Sequence, residues 1–278
     1  MRQQKPGSLP DAMSFFDDIF SLAGRTALVT GGATGIGRMA SEALVRAGAK
    51  VYIASRKLGA CEVVAQELAP YGEVVTLSAD LSTEEGVARL AEEMASRETR
   101  LDILMNNAGK TWGASFGDFP WKAWDGVMSV NVSAVFALTQ ALTPLLEAAA
   151  SEDSPARIIN VGSVVGTQPV GNNAYSYAAS KAAVHHLTKV LSHELAPRHI
   201  TVNAIAPGPF PSRMMAFVTE NEALSQIALK TVPLGRFGRF EDVAGALLLL
   251  CGRGGSYMTG AIVPLDGGQH ADTKTGLE

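Results

Sequence analysis

The sequence predicts an α/β protein built on a single doubly wound parallel sheet of about seven strands flanked by helices. Three observations carry that expectation. Seven short segments rich in Val, Ile and Leu, each bounded by Gly, Asn, Asp or Ser, recur along the chain. Stretches long enough for crossover helices separate them. The apolar segments are near-continuous rather than alternating, as a parallel sheet covered on both faces requires.

In chain order the strands are expected at 25–30, 50–54, 73–78, 102–105, 157–161, 201–206 and 261–264. Helical patterns fill 36–47, 57–68, 84–94, 123–149 and 175–196, giving a βαβα rhythm with right-handed crossovers. The segment 207–239 breaks the rhythm with Pro207, Gly208, Pro209 and Pro211 before a helical patch. An insertion at the carboxyl edge of a parallel sheet lies where such folds bind ligands, so about 208–238 reads as a substrate lid. One catalytic domain is expected over 21–270. An extension at 1–20 is expected to be largely disordered, its residues 1–12 being polar and carrying Pro6, Gly7 and Pro10, and 271–278 forms a tail.

Composition narrows the function classes. Hydrophobic residues make up 47% of the 278-residue chain and charged residues 18%, which suits a large buried core. The net charge is −4 with no run of Lys or Arg, so nucleic acid is not expected as a partner. Cys61 and Cys251 lie far apart without CxxC spacing, consistent with reduced thiols and a cytoplasmic setting. No stretch approaches the roughly 18 apolar residues of a membrane span. No signal peptide is evident. His185, His186 and His193 have no Cys, Asp or Glu at ligand spacing, so no metal site is expected. They read as facing solvent or a subunit contact.

The first strand runs directly into Thr30-Gly31-Gly32-Ala33-Thr34-Gly35-Ile36-Gly37 and then a helix. Gly31 permits the tight turn, Gly35 lets the backbone approach a pyrophosphate, and Gly37 lets helix and strand pack closely. Thr34 and Ile36 complete a helix N-terminus whose free N–H groups suit phosphate. This is a Rossmann-type dinucleotide site. About 20 residues on, at the end of the second strand, an NAD site places an acid on the ribose hydroxyls. Ser55, Arg56 and Lys57 stand there instead, and a guanidinium suits the 2′-phosphate of NADP. Asp80, followed by Leu81, closes the third strand as an acceptor for the adenine amino group.

Tyr177 and Lys181 are four residues apart, which brings both to one helix face, whereas Tyr175 points away. A free tyrosine titrates near 10, and a neighbouring ammonium favours its phenolate. The GxxxGxG spacing, Asn106-Asn107-Ala108-Gly109, Tyr177-Ala178-Ala179-Ser180-Lys181 and Pro207-Gly208 with Ser212 together resemble the short-chain dehydrogenase/reductase family. The resemblance runs from about residue 22 to 269. It implies that Asn107, Ala108, Gly109, Pro207, Gly208 and Ser212 line NADP(H). It further implies that Tyr177 protonates a carbonyl oxygen and Ser163 hydrogen-bonds it. Lys181 would hold the nicotinamide ribose, and Asn131 would anchor a water linking Lys181 to solvent. Divergent enoyl reductases of the family space their Tyr and Lys seven apart, unlike this chain. Acyl reductases that use NADP carry a basic residue where Thr34 stands, so NADP selection falls to Arg56.

Within the family, four phrases are similar to the 3-oxoacyl reductase type associated with rhamnolipid biosynthesis. They are Ser21-Leu22-Ala23-Gly24-Arg25, Thr111-Trp112-Gly113-Ala114, Pro209-Phe210-Pro211-Ser212-Arg213-Met214 and Tyr257-Met258-Thr259-Gly260. The implied reaction is reduction of a 3-oxoacyl thioester or related ketone, CoA- or carrier-linked, by hydride transfer. Arg213, Arg236 and Arg239 are the scattered basic residues that would meet a carrier. Trp112, Phe116, Trp121 and Trp124 follow the Asn-Asn-Ala-Gly motif, near the expected substrate mouth. The alternative within the enzyme class is a dehydrogenase of an alicyclic, steroidal or aromatic secondary alcohol. A non-catalytic dinucleotide sensor is the rival from another class, and the presence of Ser163, Tyr177 and Lys181 together counts against it. The family's usual assembly implies a homodimer or homotetramer paired through 123–149 and 175–196.

Overall fold

The computed structural model describes residues 12–169, 173–212 and 215–271. Seven parallel strands form one sheet: β1 (Thr26–Thr30), β2 (Lys50–Ser55), β3 (Val74–Ser78), β4 (Ile103–Asn106), β5 (Ala156–Val161), β6 (Ile200–Pro207) and β7 (Ile262–Leu265). Their order is β3-β2-β1-β4-β5-β6-β7, so every strand boundary falls within a residue or so of its sequence expectation. The chain winds outward from β1 to β3 and returns to place β4 beside β1. That reversal leaves a crevice at the carboxyl ends of β1 and β4, where a doubly wound sheet receives its ligand.

Apolar character on both faces of each strand has a direct cause. Ala27 and Val29 of β1 enter one core, while Leu28 between them enters the other. The first core is closed by α2 (Gly35–Arg46), α3 (Leu58–Leu68) and α10 (Phe240–Cys251). The second is closed by α4 (Glu84–Arg97), α6 (Ala134–Ala149) and α7 (Tyr175–Leu195). Each fully buried Leu or Ile contributes about 1.5–3 kcal/mol, so two such layers fix the sheet from both sides.

Three departures from the sequence expectations carry structural reasons. Residues 12–20 are not disordered: they form α1 (Ala12–Phe20), whose end seats Ile19 and Phe20 on Gly252 and Gly254. Helix periodicity supplies the apolar face, and the missing side chains of those glycines supply the seat. The expected helix 123–149 is α5 (Trp121–Met128) joined to α6 by a five-residue π-helical turn, Ser129–Ser133. Counted as one run, Trp121–Ala149 is long and apolar enough to cross a membrane, a length the sequence reading did not register. Here its Leu138, Leu142 and Leu146 are buried in the second core.

The segment after β6 carries α8 (Ala216–Thr219) and α9 (Glu222–Leu229). Its two ends are tied together, because Gly238 N–H donates to the Pro209 carbonyl at 3.0 Å and Gly238 packs on the buried Phe210 ring. Arg213 and Met214 of the lid phrase lie outside the described residues.

Candidate active site

The glycine loop lies at the crevice. Gly31 has a φ of 65°, which a side chain adopts only with strain. A methyl group on Gly37 would lie 2.3 Å from the Gly31 carbonyl oxygen and 2.4 Å from Asn107 Nδ2, so only glycine lets α2 press on the loop. Ser41, overlooked in the sequence, donates its hydroxyl to the carbonyls of Gly32 and Gly37 at 3.1 and 2.9 Å. Thr34 stands at the N-cap of α2 without a side-chain cap, leaving the first-turn N–H groups around Ile36 to an outside acceptor. Ser212 sits directly over Gly35, 3.0 Å from where a methyl would project. The Pro207-Gly208-Ser212 element therefore reaches back over the loop.

Asn107 is a joist between β1 and β4. Its amide donates to the carbonyls of Thr30 and Gly31 at 2.9 and 3.1 Å. The Thr30 hydroxyl oxygen receives the backbone N–H groups of both Asn107 and Ala108 at 3.0 Å. Thr30 itself was not singled out from sequence, because its partners lie more than 70 residues away. Gly109 follows, with Lys181 Nζ and Asn131 Oδ1 both within 4 Å of where a methyl would sit.

At the end of β2, Ser55 is half-buried, while Arg56 and Lys57 are exposed. Among the described residues Arg56 makes no ion-pair contact, though its charge contributes to lowering the Asp80 carboxyl. Asp80 takes both the N–H and the hydroxyl of Ser82 on Oδ1, at 3.0 and 2.7 Å, which lowers its pKa and leaves Oδ2 for another donor. Leu81 is buried beside it. The chain thus presents the donor set a dinucleotide phosphate needs: an uncapped helix start, a bare glycine backbone and an unpaired guanidinium.

The four residues expected to carry the chemistry come from three elements. Tyr177 and Lys181 stand on one face of α7, and Lys181 Nζ lies 5.5 Å from the Tyr177 ring centroid. Lys181 is 4% exposed and donates to the Val161 carbonyl at 2.7 Å; burial pushes its pKa down to about 8. Ser163 lies just past β5, with its hydroxyl in hydrogen-bonding contact with Tyr177. The same hydroxyl makes only long bonds elsewhere, donating to Pro207 O at 3.5 Å and accepting from Val165 N at 3.4 Å. Burial pushes the Tyr177 phenol up and Ser163 draws it part of the way back. The sequence expectation of a phenol lowered by Lys181 is therefore not met in the protein alone. Desolvation of the buried phenol outweighs the Ser163 bond that lowers it, and the Lys181 ammonium donates to the Val161 carbonyl instead.

Asn131 lies inside the π turn and is fully buried. Its Oδ1 receives Lys110 N–H at 2.8 Å, and its Nδ2 donates to Lys110 O at 3.0 Å and Ser180 Oγ at 2.9 Å. It clamps the 106–110 loop to α7. Tyr175 points away from the site and joins an edge-to-face aromatic chain with Phe116 and Phe119, the latter in turn edge-to-face with Trp124. Phe116 and Trp121 remain largely exposed. Arg236, expected as a free basic residue, is committed to a two-pronged pair with Asp242 at 2.7 and 2.9 Å. His185, expected at solvent or a subunit contact, is buried behind Ser163.

Comparison with known proteins accords with this geometry. The model of the family described as enoyl-(acyl carrier protein) reductase, a short-chain dehydrogenase branch, matches residues 31–270. The rhamnolipids biosynthesis 3-oxoacyl-[acyl-carrier-protein] reductase of Pseudomonas aeruginosa is 47% identical over 251 residues, covering 90% of this chain and 98% of that protein. The solved structure of the Pseudomonas aeruginosa RhlG/NADP active-site complex superposes with a TM-score of 0.89 at 47% identity, covering 91% of this chain and 99% of that one. The 2-dehydro-3-deoxy-D-gluconate 5-dehydrogenase of Bacillus subtilis is 35% identical over 257 residues, covering 92% and 98%. Taken with the seven-strand sheet and the glycine loop, these matches place the chain in the short-chain dehydrogenase/reductase family.

Proposed function

We propose that the protein is an NADP(H)-dependent reductase that converts the carbonyl of a 3-oxoacyl thioester, or a related ketone, to a secondary alcohol. The observation that carries this reading is the convergence of Tyr177, Ser163 and Lys181 beside the glycine loop. The name of the 47% identical relative and the NADP in its solved complex support it. The four-residue Tyr177–Lys181 spacing favours carbonyl over enoyl reduction.

NADPH supplies the hydride when bound. The N–H groups at the start of α2 hold its pyrophosphate, Arg56 its 2′-phosphate and Asp80 its adenine amino group. Ser163 Oγ donates a hydrogen bond to the substrate carbonyl oxygen, which its weak internal bonds leave it free to do. Tyr177 Oη gives that oxygen its proton as hydride reaches the carbon. Burial keeps the phenol protonated at neutral pH, the state a general acid needs. Lys181, buried alongside, stabilises the phenolate left behind. The assembly we propose is a homodimer or homotetramer, for which Phe136 on α6 and Val190 on α7 offer exposed apolar surface.

Initial rates with acetoacetyl-CoA test the reading, with NADPH and NADH compared and Tyr177→Phe as control. Turnover with NADPH well above that with NADH is expected. The Phe variant should lose activity by a factor of about 100 or more while binding NADPH as tightly as the parent. Binding of NADPH without turnover would remove the acyl assignment. The search would then move to other ketones, including the sugar acids named by the Bacillus subtilis relative.

A further inference from the structure

Helix α7 presents a third residue on the face that carries Tyr177 and Lys181. His185 lies four residues after Lys181 and is 7% exposed. Its Nε2 receives the backbone N–H of Ser163 at 3.4 Å, and its Nδ1 lies 3.3 Å from the Thr167 hydroxyl. A ring nitrogen that accepts an N–H carries no proton, so Nδ1 holds the proton and donates it to Thr167 Oγ1. One imidazole thus grips both ends of the short turn Val164–Gly166, which begins at Ser163 and ends at Thr167.

The surrounding sequence is shaped to admit this contact. A methyl group on Gly162 would sit 2.1 Å from His185 Nε2, so only glycine lets the ring reach the Ser163 amide. A methyl on Gly166 would lie 2.7 Å from the Lys181 backbone, so this glycine lets the turn lie flat on α7. Lys181 holds the preceding residue, Val161, by its carbonyl. Beyond its contact with Tyr177, the Ser163 hydroxyl has only the two long bonds described above, so its backbone largely sets its position. On its far side His185 borders a cavity of about 550 Å³, so packing alone does not hold the ring in place.

We propose that His185 is a positioning residue for the reaction: through the Ser163 amide and Thr167 it sets where the Ser163 hydroxyl meets the substrate carbonyl. The inference rests on the reductase reading. In this role His185 acts through the Ser163 backbone and Thr167. Lys181, Lys189 and His186 stand on its own helix, with Asp266 and His270 across the cavity. None of these takes its place at the amide.

Steady-state kinetics of His185→Leu and His185→Gln, each alone and combined with Ser163→Ala, test it. Leucine removes the acceptor, and glutamine keeps an acceptor at similar reach. The Leu variant should lose kcat by about 10- to 100-fold with the KM for NADPH unchanged, because a misplaced hydroxyl costs the chemical step rather than cofactor binding. The Gln variant should recover most of that loss. In the Ser163→Ala background, adding His185→Leu should cost less than threefold, since the group it positions is already gone. Equal losses for Leu and Gln, or a full additional loss on top of Ser163→Ala, would overturn the inference and leave the reductase reading intact. A wild-type enzyme that turns over no ketone would remove that reading and this inference together.

Discussion

Lys181 and Arg56 show the same kind of charge in opposite surroundings. Lys181 is buried, and desolvation lowers its pKa to about 8, so its ammonium is costly to keep and sensitive to any neighbouring phenolate. Arg56 is exposed and unpaired among the described residues, so it loses little by holding a phosphate. Charge-assisted hydrogen bonds contribute about 1.5–3 kcal/mol, which sets the size of the expected selection. Arg56→Asp should lower kcat/KM for NADPH by roughly 10- to 150-fold and leave NADH unchanged or improved. Measuring both cofactors with one substrate checks this, and an unchanged preference ratio would move NADP selection elsewhere. Both positions stand out in the sequence through local context, a helical spacing in one case and a strand end in the other. Arg236 was not legible as a structural residue. Its partner Asp242 is six positions away across a bend that only the fold forms.

At the scale of elements, the α2 start and α10 set two glycines in contrast. Gly37 meets backbone oxygen at 2.3 Å on any added methyl, whereas Gly245 in α10 has open space around it. Gly37→Ala must push α2 off the loop. The expected result is destabilisation of about 1–3 kcal/mol and a marked loss of NADPH affinity, read by thermal melts and fluorescence titration. Gly245→Ala should instead raise stability by up to about 1 kcal/mol with cofactor binding unchanged, because glycine is the poorer helix former. Opposite signs at the two positions are required; a stabilising Gly37→Ala would contradict the packing described. Beneath the site, four buried side chains lace the second core across elements. Asn106 bonds Thr139 of α6 and Asn160 of β5 at 3.2 and 2.9 Å, and Asn160 bonds Thr188 of α7 at 2.9 Å. Buried amides with partners fix the relative height of strands and helices, which apolar packing alone leaves adjustable.

For the whole molecule, His185 links acid stability to the site. Burial, with Lys181 and Lys189 near, lowers its pKa to about 4 from an ordinary 6.5. The unfolded chain therefore takes up a proton that the native state refuses between those values. Its contribution is fully present above pH about 6.5 and is lost as pH falls toward 4, by up to roughly 3 kcal/mol. Carboxylates that are lowered by their partners, such as Asp80 and Asp242, add to acid loss only below their ordinary range near 4. Urea unfolding of wild type and His185→Gln at pH 7.5, 6.0 and 5.0 separates the two. The wild type should lose stability across this window and the variant much less, while parallel losses would assign the slope to other groups.

The sequence by itself determined the strands, the crossover helices, the glycine loop and the Tyr177–Lys181 pair. Those features are written in short-range pattern: brief continuous apolar runs for the buried strands, 3.6 residues per turn for the helices, and glycine where backbone must touch backbone. Tertiary structure alone decided what each helix face meets. It turned the end of the expected disordered extension into α1 seated on Gly252, opened a π turn around Asn131, and tied Thr30 to Asn107 across the crevice. It also turned His185 inward onto Ser163, 22 residues away. The reason is physical. A residue's burial and partners depend on contacts between segments distant in the chain, and local spacing carries no record of which distant segment will arrive.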